Sequence, residues 1–224
     1  MSLRIDFDEE KHEYSVGGVK VPSVSEILAP LSAERYRDLN PSMLAQAAER
    51  GRAVHEATEA IDYGLDPEID PEIGGYVKAY FDFIRDYRPE WEQIESVVGY
   101  YRHKDELPLF CGTVDRFGRI DGKPSVVDIK TYASVTTDSQ LSASCQTKLY
   151  ADAIESMGED FSYKGCERYL LHLKKDGTYR LIDLWEFDRT HGFNAEETSW
   201  TLWILWHNMT MAKKTVRKKR DTSD

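Results

Sequence analysis

Apolar positions along the chain change period several times, and each change predicts an element. Arg4 to Val21 alternates apolar and polar residues, which predicts a small hairpin turning at Gly17-Gly18. Pro22-Ser23 ends it, and Ser23 with the later Glu26 reads as a capping box for a short helix to Leu28. Pro30 to Pro41 reads as a helical turn and loop carrying Arg35 and Arg37. Ser42 to Tyr63 is helical in pattern and stops near Gly64. A proline-spaced acidic loop, Asp66 to Glu72, leads to a second helix over Gly75 to Asp86. There Tyr76, Val77, Tyr80, Phe83, Ile84 and Tyr87 recur at helical spacing and mark a core face rather than a base-stacking platform.

The centre of the chain is β-rich. Gln93 to Arg102, Leu109 to Ile120 and Ser125 to Thr131 read as strands, separated by His103 to Glu106 and by Asp121-Gly122-Lys123. Asp121-Gly122 between two apolar runs is a hairpin-turn signal. A helix follows over Ser139 to Met157, then strands over Tyr163 to Lys174 and Thr178 to Phe187 joined at Asp176-Gly177, then a last helix over Asp188 to Met211. Trp200, Trp203 and Trp206, with Leu202, Leu205 and Met209 around them, predict that this helix packs on the sheet. The order predicts an α/β (α+β) fold, a central mixed β-sheet flanked by helices. Residues 1–212 read as one domain, and 213–224, with Lys213, Lys214, Arg217, Lys218, Lys219 and Arg220, as a basic, flexible tail.

Composition narrows the class. With 224 residues, 41% hydrophobic and 31% charged, the chain suits one well-filled domain. No apolar run reaches the roughly 20 residues of a membrane span, and Met1 to Glu10 has no signal-peptide core, so the expectation is a cytoplasmic protein with no membrane partner. Cys111, Cys145 and Cys166 are scattered, which fits reduced thiols acting as small apolar residues. The net charge of -11 argues against a protein that coats DNA, because nonspecific affinity comes mostly from Lys and Arg. Any DNA contact must then be local and metal-assisted.

The chemistry gathers in Gly112-Thr113-Val114-Asp115 and Val126-Val127-Asp128-Ile129-Lys130-Thr131. If Asp115 and Asp128 lie on adjacent strands of the Asp121-Gly122 hairpin, their carboxylates can meet. Asp128 and Lys130 share a strand face with Val126, and Val127 and Ile129 take the other. Two carboxylates about 4 Å apart repel by about 4 kcal/mol at an effective dielectric of about 20. A hard divalent cation, magnesium or manganese, turns that repulsion into binding. Lys130 beside it could orient or deprotonate a water, or stabilise transition-state charge.

This pattern resembles the core motif of the PD-(D/E)XK nuclease superfamily, with Asp115 as first acid and Asp128-Ile129-Lys130 as the D-x-K element. Gly51-Arg52-Ala53-Val54-His55 resembles the GxxxH helix of its RecB-like and phage-type exonuclease branch, and Gln146-Thr147-Lys148-Leu149-Tyr150 its QxxxY helix. Pro22-Ser23-Val24-Ser25-Glu26-Ile27-Leu28 is also similar to a segment common there, so the likeness spans Pro22 to Tyr150. The resemblance implies a restriction-endonuclease-like core and a metal held by His55, Asp115, Asp128 and the Ile129 carbonyl, with Glu95 within reach. It implies a catalytic Lys130, and Gln146 and Tyr150 bracing the site and touching substrate phosphate, beside Gly51 and Arg52. The implied activity is Mg- or Mn-dependent hydrolysis of DNA by a metal-activated water, as an exonuclease of recombination, repair or phage replication. The implied partners are DNA and a recombination, annealing or helicase protein, with oligomerisation open and a bacterial or phage origin. The cysteines do not supply the iron–sulfur cluster of some relatives, so none is expected.

Blander readings stand beside these. Asp128-Ile129-Lys130 alone suits an exposed strand with a cross-strand ion pair. His55, on one helix face with Gly51 and Glu59, suits a core-edge histidine, and Gln146 with Tyr150 a buried hydrogen-bonded pair. At the level of the whole protein, the alternatives are a non-catalytic nucleic-acid-binding or assembly subunit, and a metal-dependent hydrolase of another substrate.

Overall fold

The computed structural model describes residues 4–36, 40–103, 106–158 and 165–221. Arg37 and the start of the strand expected from Tyr163 lie outside the described residues. Three short strands open the chain, β1 (Ile5–Asp8), β2 (Glu13–Val16) and β3 (Val19–Val21), paired antiparallel in that order. The expected hairpin at Gly17-Gly18 joins β2 to β3, both glycines having positive φ, and β1 adds one strand more. The capping box forms: Glu26 N–H donates to Ser23 Oγ and Ser23 N–H to the Glu26 carboxylate. It opens α1 (Val24–Tyr36), which runs past Leu28 and through Pro30, as one helix continuous with the stretch read as a helical turn and loop.

Asn40 caps α2 (Pro41–Asp62), its side chain accepting from Ser42 N–H, with Pro41 at the first helical position. Helix α3 (Gly74–Tyr87) buries Tyr76, Val77, Tyr80 and Phe83 as its spacing predicts. Strands β4 (Glu90–Tyr100), β5 (Phe110–Ile120) and β6 (Lys123–Lys130) follow, then α4 (Thr137–Met157), β7 (Glu167–Leu173), β8 (Tyr179–Asp183), α5 (Leu184–His191) and α6 (Ala195–Asp221). The five strands form one mixed sheet in the order β4-β5-β6-β7-β8, with only β6 and β7 parallel. Asp121 (φ 50) and Gly122 (φ 73) make the tight β5–β6 turn.

Helices cover both faces of this sheet. Val127 and Ile129 pack with α2 and α3, whereas Val126 packs with Leu149 and Tyr150 of α4 and Ile27 of α1, so the parity read from the sequence holds. Two readings at the C-terminal end change. Leu184 to Phe187 are helical, because Asp183 accepts from Glu186 N–H and starts α5. The single last helix is two, broken where Gly192 takes φ 62. Trp200, Trp203 and Trp206 pack on the core, but Leu205 and Met209 are exposed, because α6 lies along α4 and α1 with one face outward. Helix α6 also continues to Asp221, through the segment read as a flexible tail. All three cysteines are buried. Among the described residues no helix is long and apolar enough to cross a membrane.

Candidate metal centre

The candidate site lies in a fork between β5 and β6. Their pairing runs from the hairpin as far as Arg116 opposite Val127 and then stops. Beyond it β5 meets the chain entering α1 instead, through a bridge of Cys111 to Ser23 and a hydrogen bond from Cys111 N–H to the Pro22 carbonyl. Asp115 occupies the mouth of the fork, and its Oδ2 accepts the Ile129 N–H at 2.6 Å. A side chain thus replaces the lost strand partner and ties Asp115 to the D-x-K strand.

The same point is distorted on β4. Ile94 pairs with Arg116 and Ser96 with Val114, so Glu95 stands opposite Asp115. Glu95 has φ 43, left-handed for a residue with a Cβ. Such strain costs on the order of 1–3 kcal/mol and persists only where surroundings enforce it. The enforcing partners are visible: Glu95 Oε1 accepts from His55 Nδ1 and from Arg116 Nη1, each at 2.9 Å.

Helix α2 brings His55 over the fork. Its Nδ1 faces Glu95, and its Nε2 lies 3.1 Å from the Ile129 carbonyl oxygen and 3.9 Å from Asp115 Oδ2. Both ring nitrogens face acceptors, an arrangement that a doubly protonated ring satisfies. Burial alone pulls the His55 pKa down, but the Asp115 charge and the Glu95 bond more than offset it, so the ring sits above its ordinary value. The carboxylates around the ring thus favour its protonated form.

Asp128 is 1% exposed and Asp115 7%. Asp128 Oδ1 accepts from Lys130 Nζ at 2.5 Å, while Oδ2 is buried with no hydrogen-bond partner among the described residues. Burial, only partly countered by Lys130, pushes the Asp128 carboxyl up to about 6, and Asp115 pushes it the same way. For Lys130 burial works downward, but Asp128 and Asp115 prevail and raise its pKa. Lys130 is therefore held as an ammonium. In this arrangement it orients and stabilises charge, and the proton-abstracting role weighed from the sequence loses ground.

Helix α4 closes the fork from the other face. Gln146 Nε2 donates to the Tyr150 hydroxyl at 3.2 Å. Burial first, then Asp115 and Asp128, raise the Tyr150 pKa and keep the phenol neutral. Gly51 and Arg52 are less tightly engaged. The nearest atom to a Cβ built on Gly51 is Thr131 Oγ1 at 4.0 Å, so close packing does not require a glycine there, and Arg52 is exposed. Glu59 lies near Glu95, and partial burial followed by that charge raises its pKa.

His55, Glu95 and Asp115 each bring a ligand atom to a common point, all within 4.8 Å of one another. Atoms bound at about 2.1 Å to one magnesium ion sit about 3 Å apart; His55 Nε2 is 3.1 Å from the Ile129 carbonyl oxygen and 3.9 Å from Asp115 Oδ2, so Asp115 would have to draw in to share an ion. The His55, Glu95 and Asp115 donors suit a hard divalent ion; Asp128 stands outside this group, its Oδ2 a buried acceptor with no hydrogen-bond partner among the described residues. His55, Glu95 and Asp115 fit a divalent ion. Glu95 is already engaged through His55, in the way a carboxylate orients a ligating imidazole.

The sequence reading missed Arg116. It is fully buried, and its guanidinium donates to Asp62, Thr58, Glu95 and the Asp115 carbonyl. It follows Asp115 directly, and an arginine in an apolar strand was the available signal. Neither a protein-family model nor a curated protein matches this chain.

Proposed function

We propose that the protein is a divalent-metal-dependent DNA nuclease with a restriction-endonuclease-like core of the PD-(D/E)XK type, acting as an exonuclease in recombination, repair or phage replication. One observation carries the reading: His55, Glu95 and Asp115 bring ligand atoms within 4.8 Å of one another at the strand fork, with the Ile129 carbonyl 3.1 Å from His55 Nε2 and the Asp128–Lys130 ion pair on the same strand as Ile129. Magnesium or manganese would be held by His55, Asp115, Asp128 and the Ile129 carbonyl, where it would acidify water and screen a phosphodiester. Each residue of the chain has a task that follows from its contacts. Glu95 fixes the His55 ring, leaving Nε2 for the ion once its proton leaves. Lys130 keeps its positive charge and faces the phosphoryl oxygens as negative charge grows on them. Neutral Tyr150, braced by Gln146, offers a hydroxyl donor to the same phosphate. With a chain charge of -11, substrate affinity depends on the bound cation and on local donors such as Arg52.

The test is digestion of end-labelled linear, nicked and circular DNA with magnesium, with manganese and with EDTA. Metal-dependent shortening that is lost in Asp128→Ala and Lys130→Ala, both still folded, supports the reading. Equal digestion by those variants overturns it. DNA binding without cleavage at any metal concentration would instead favour the non-catalytic subunit.

A further inference from the structure

A cavity of about 280 Å³ is lined by Glu95 and Asp115 of the candidate metal centre. The N-terminal hairpin region also lines it, through Phe7 and Tyr14 of β1 and β2 and His12 of the turn between them. The Phe7 and Tyr14 rings stack at 4.6 Å with 20° between their planes, and His12 meets Phe7 edge-on at 5.4 Å. Tyr14 is buried and its hydroxyl is hydrogen-bonded to Thr113 Oγ1 at 2.8 Å, which anchors this wall two residues before Asp115. Phe7 is only half-buried and His12 is exposed, so aromatic surface remains for a guest. His12 also has φ 51, a left-handed conformation for a residue with a Cβ, at the end of the β1–β2 turn. The volume approaches the lower end for small-ligand pockets, about 300 Å³, and suits one flat ring system with part of its sugar.

The turn that presents His12 also carries Asp8, Glu9 and Glu10, with Lys11 engaged by Asp8 at 2.7 Å. A nucleic-acid strand continuing past the cavity would carry its phosphates against these carboxylates. A chain end would not. Aromatic surface at the metal and repulsion beyond it describe a terminal site.

Resting on the nuclease reading above, we propose that this cavity seats the base of the strand-terminal nucleotide next to the scissile phosphate, with Phe7 and His12 as its stacking surface. Removal of nucleotides from an end then follows from the shape and charge of the N-terminal strands.

The test uses the full chain and single-stranded oligonucleotides carrying 2-aminopurine at the 5′ terminus, the 3′ terminus or an internal position, with calcium as the cation. Stacking should quench the fluorophore at one terminus and not internally. Phe7→Leu, which keeps apolar volume, and His12→Ala, at an exposed position, should each weaken that quenching and raise the Kd on the order of tenfold. Equal quenching at internal and terminal positions, or quenching unchanged in both variants, overturns the proposal. Parallel digestion with magnesium separates the two readings. Cleavage that is indifferent to an abasic terminal residue overturns the base site and leaves the nuclease standing. Terminal quenching that needs Phe7 and His12, with no hydrolysis at all, overturns the nuclease and keeps the site.

Discussion

The ring of Tyr150 lies where a side chain on Gly112 would be: a Cβ built there would meet Tyr150 Cε1 at 2.6 Å and Val24 Cγ2 at 3.2 Å. The glycine before Asp115 and the tyrosine of the α4 motif are thus one packing feature, 38 positions apart in sequence. Gly112→Ala must displace a buried ring, and such overpacking costs about 1–3 kcal/mol. A urea midpoint equal to that of the parent would show the ring yields freely.

Glu95 joins His55 to Arg116 through a single oxygen. Glu95→Gln keeps the shape and removes the charge that orients the imidazole. Manganese affinity, measured calorimetrically, should fall about 10–100-fold. Unchanged affinity would mean that Glu95 has no part in holding the ligand set.

Arg116 is the buried counter-charge of Asp62 and Glu95. Arg116→Ala leaves Asp62 without its cation in an apolar layer, a loss of about 3–5 kcal/mol for a buried pair broken on one side. Thermal denaturation reads it, and a shift of less than a degree would contradict the role.

Asp128 gives the metal-free protein a defined pH response. Its folded pKa, raised by burial to about 6, exceeds the ordinary value of 3.8. Protonation therefore favours the folded state: the contribution is complete below the ordinary value and is lost as pH rises through about 6. If Asp128 holds the cation as proposed, protons and cations compete for one carboxylate, and manganese affinity should drop as pH falls below about 6. Stability in EDTA and manganese binding should move in opposite directions between pH 7 and 5, and parallel movement would refute the assignment.

Gly51 has open space above it, within α2. Gly51→Ala should stabilise the helix by about 1 kcal/mol. If the same variant loses DNA cleavage, the space belongs to substrate. If cleavage is kept, the glycine in the α2 motif has no substrate role.

Local patterns were legible where one element decides its own structure. Ser23 and Glu26 announced α1, Asp121-Gly122 the central turn, and the alternation of Val126 to Ile129 two faces that the helical layers then cover. The residues gathered at the fork had been singled out by type and order: Asp115, Asp128, Lys130, His55, Glu95, Gln146 and Tyr150. What failed were boundaries set by neighbours. Nothing local warned that α1 would run on through Pro30, or that α6 would leave Leu205 and Met209 outward.

The chain order alone thus singled out most of the residues at the candidate site and the kind of element that carries each, because periodicity and turn chemistry are properties of adjacent residues. Only the folded arrangement decided what each of them faces. The fork that stops β5–β6 pairing at Arg116, the left-handed Glu95 and the buried Arg116 behind it arise from segments far apart in sequence. Contacts of that kind set charge, burial and protonation at the site, and no local pattern encodes them.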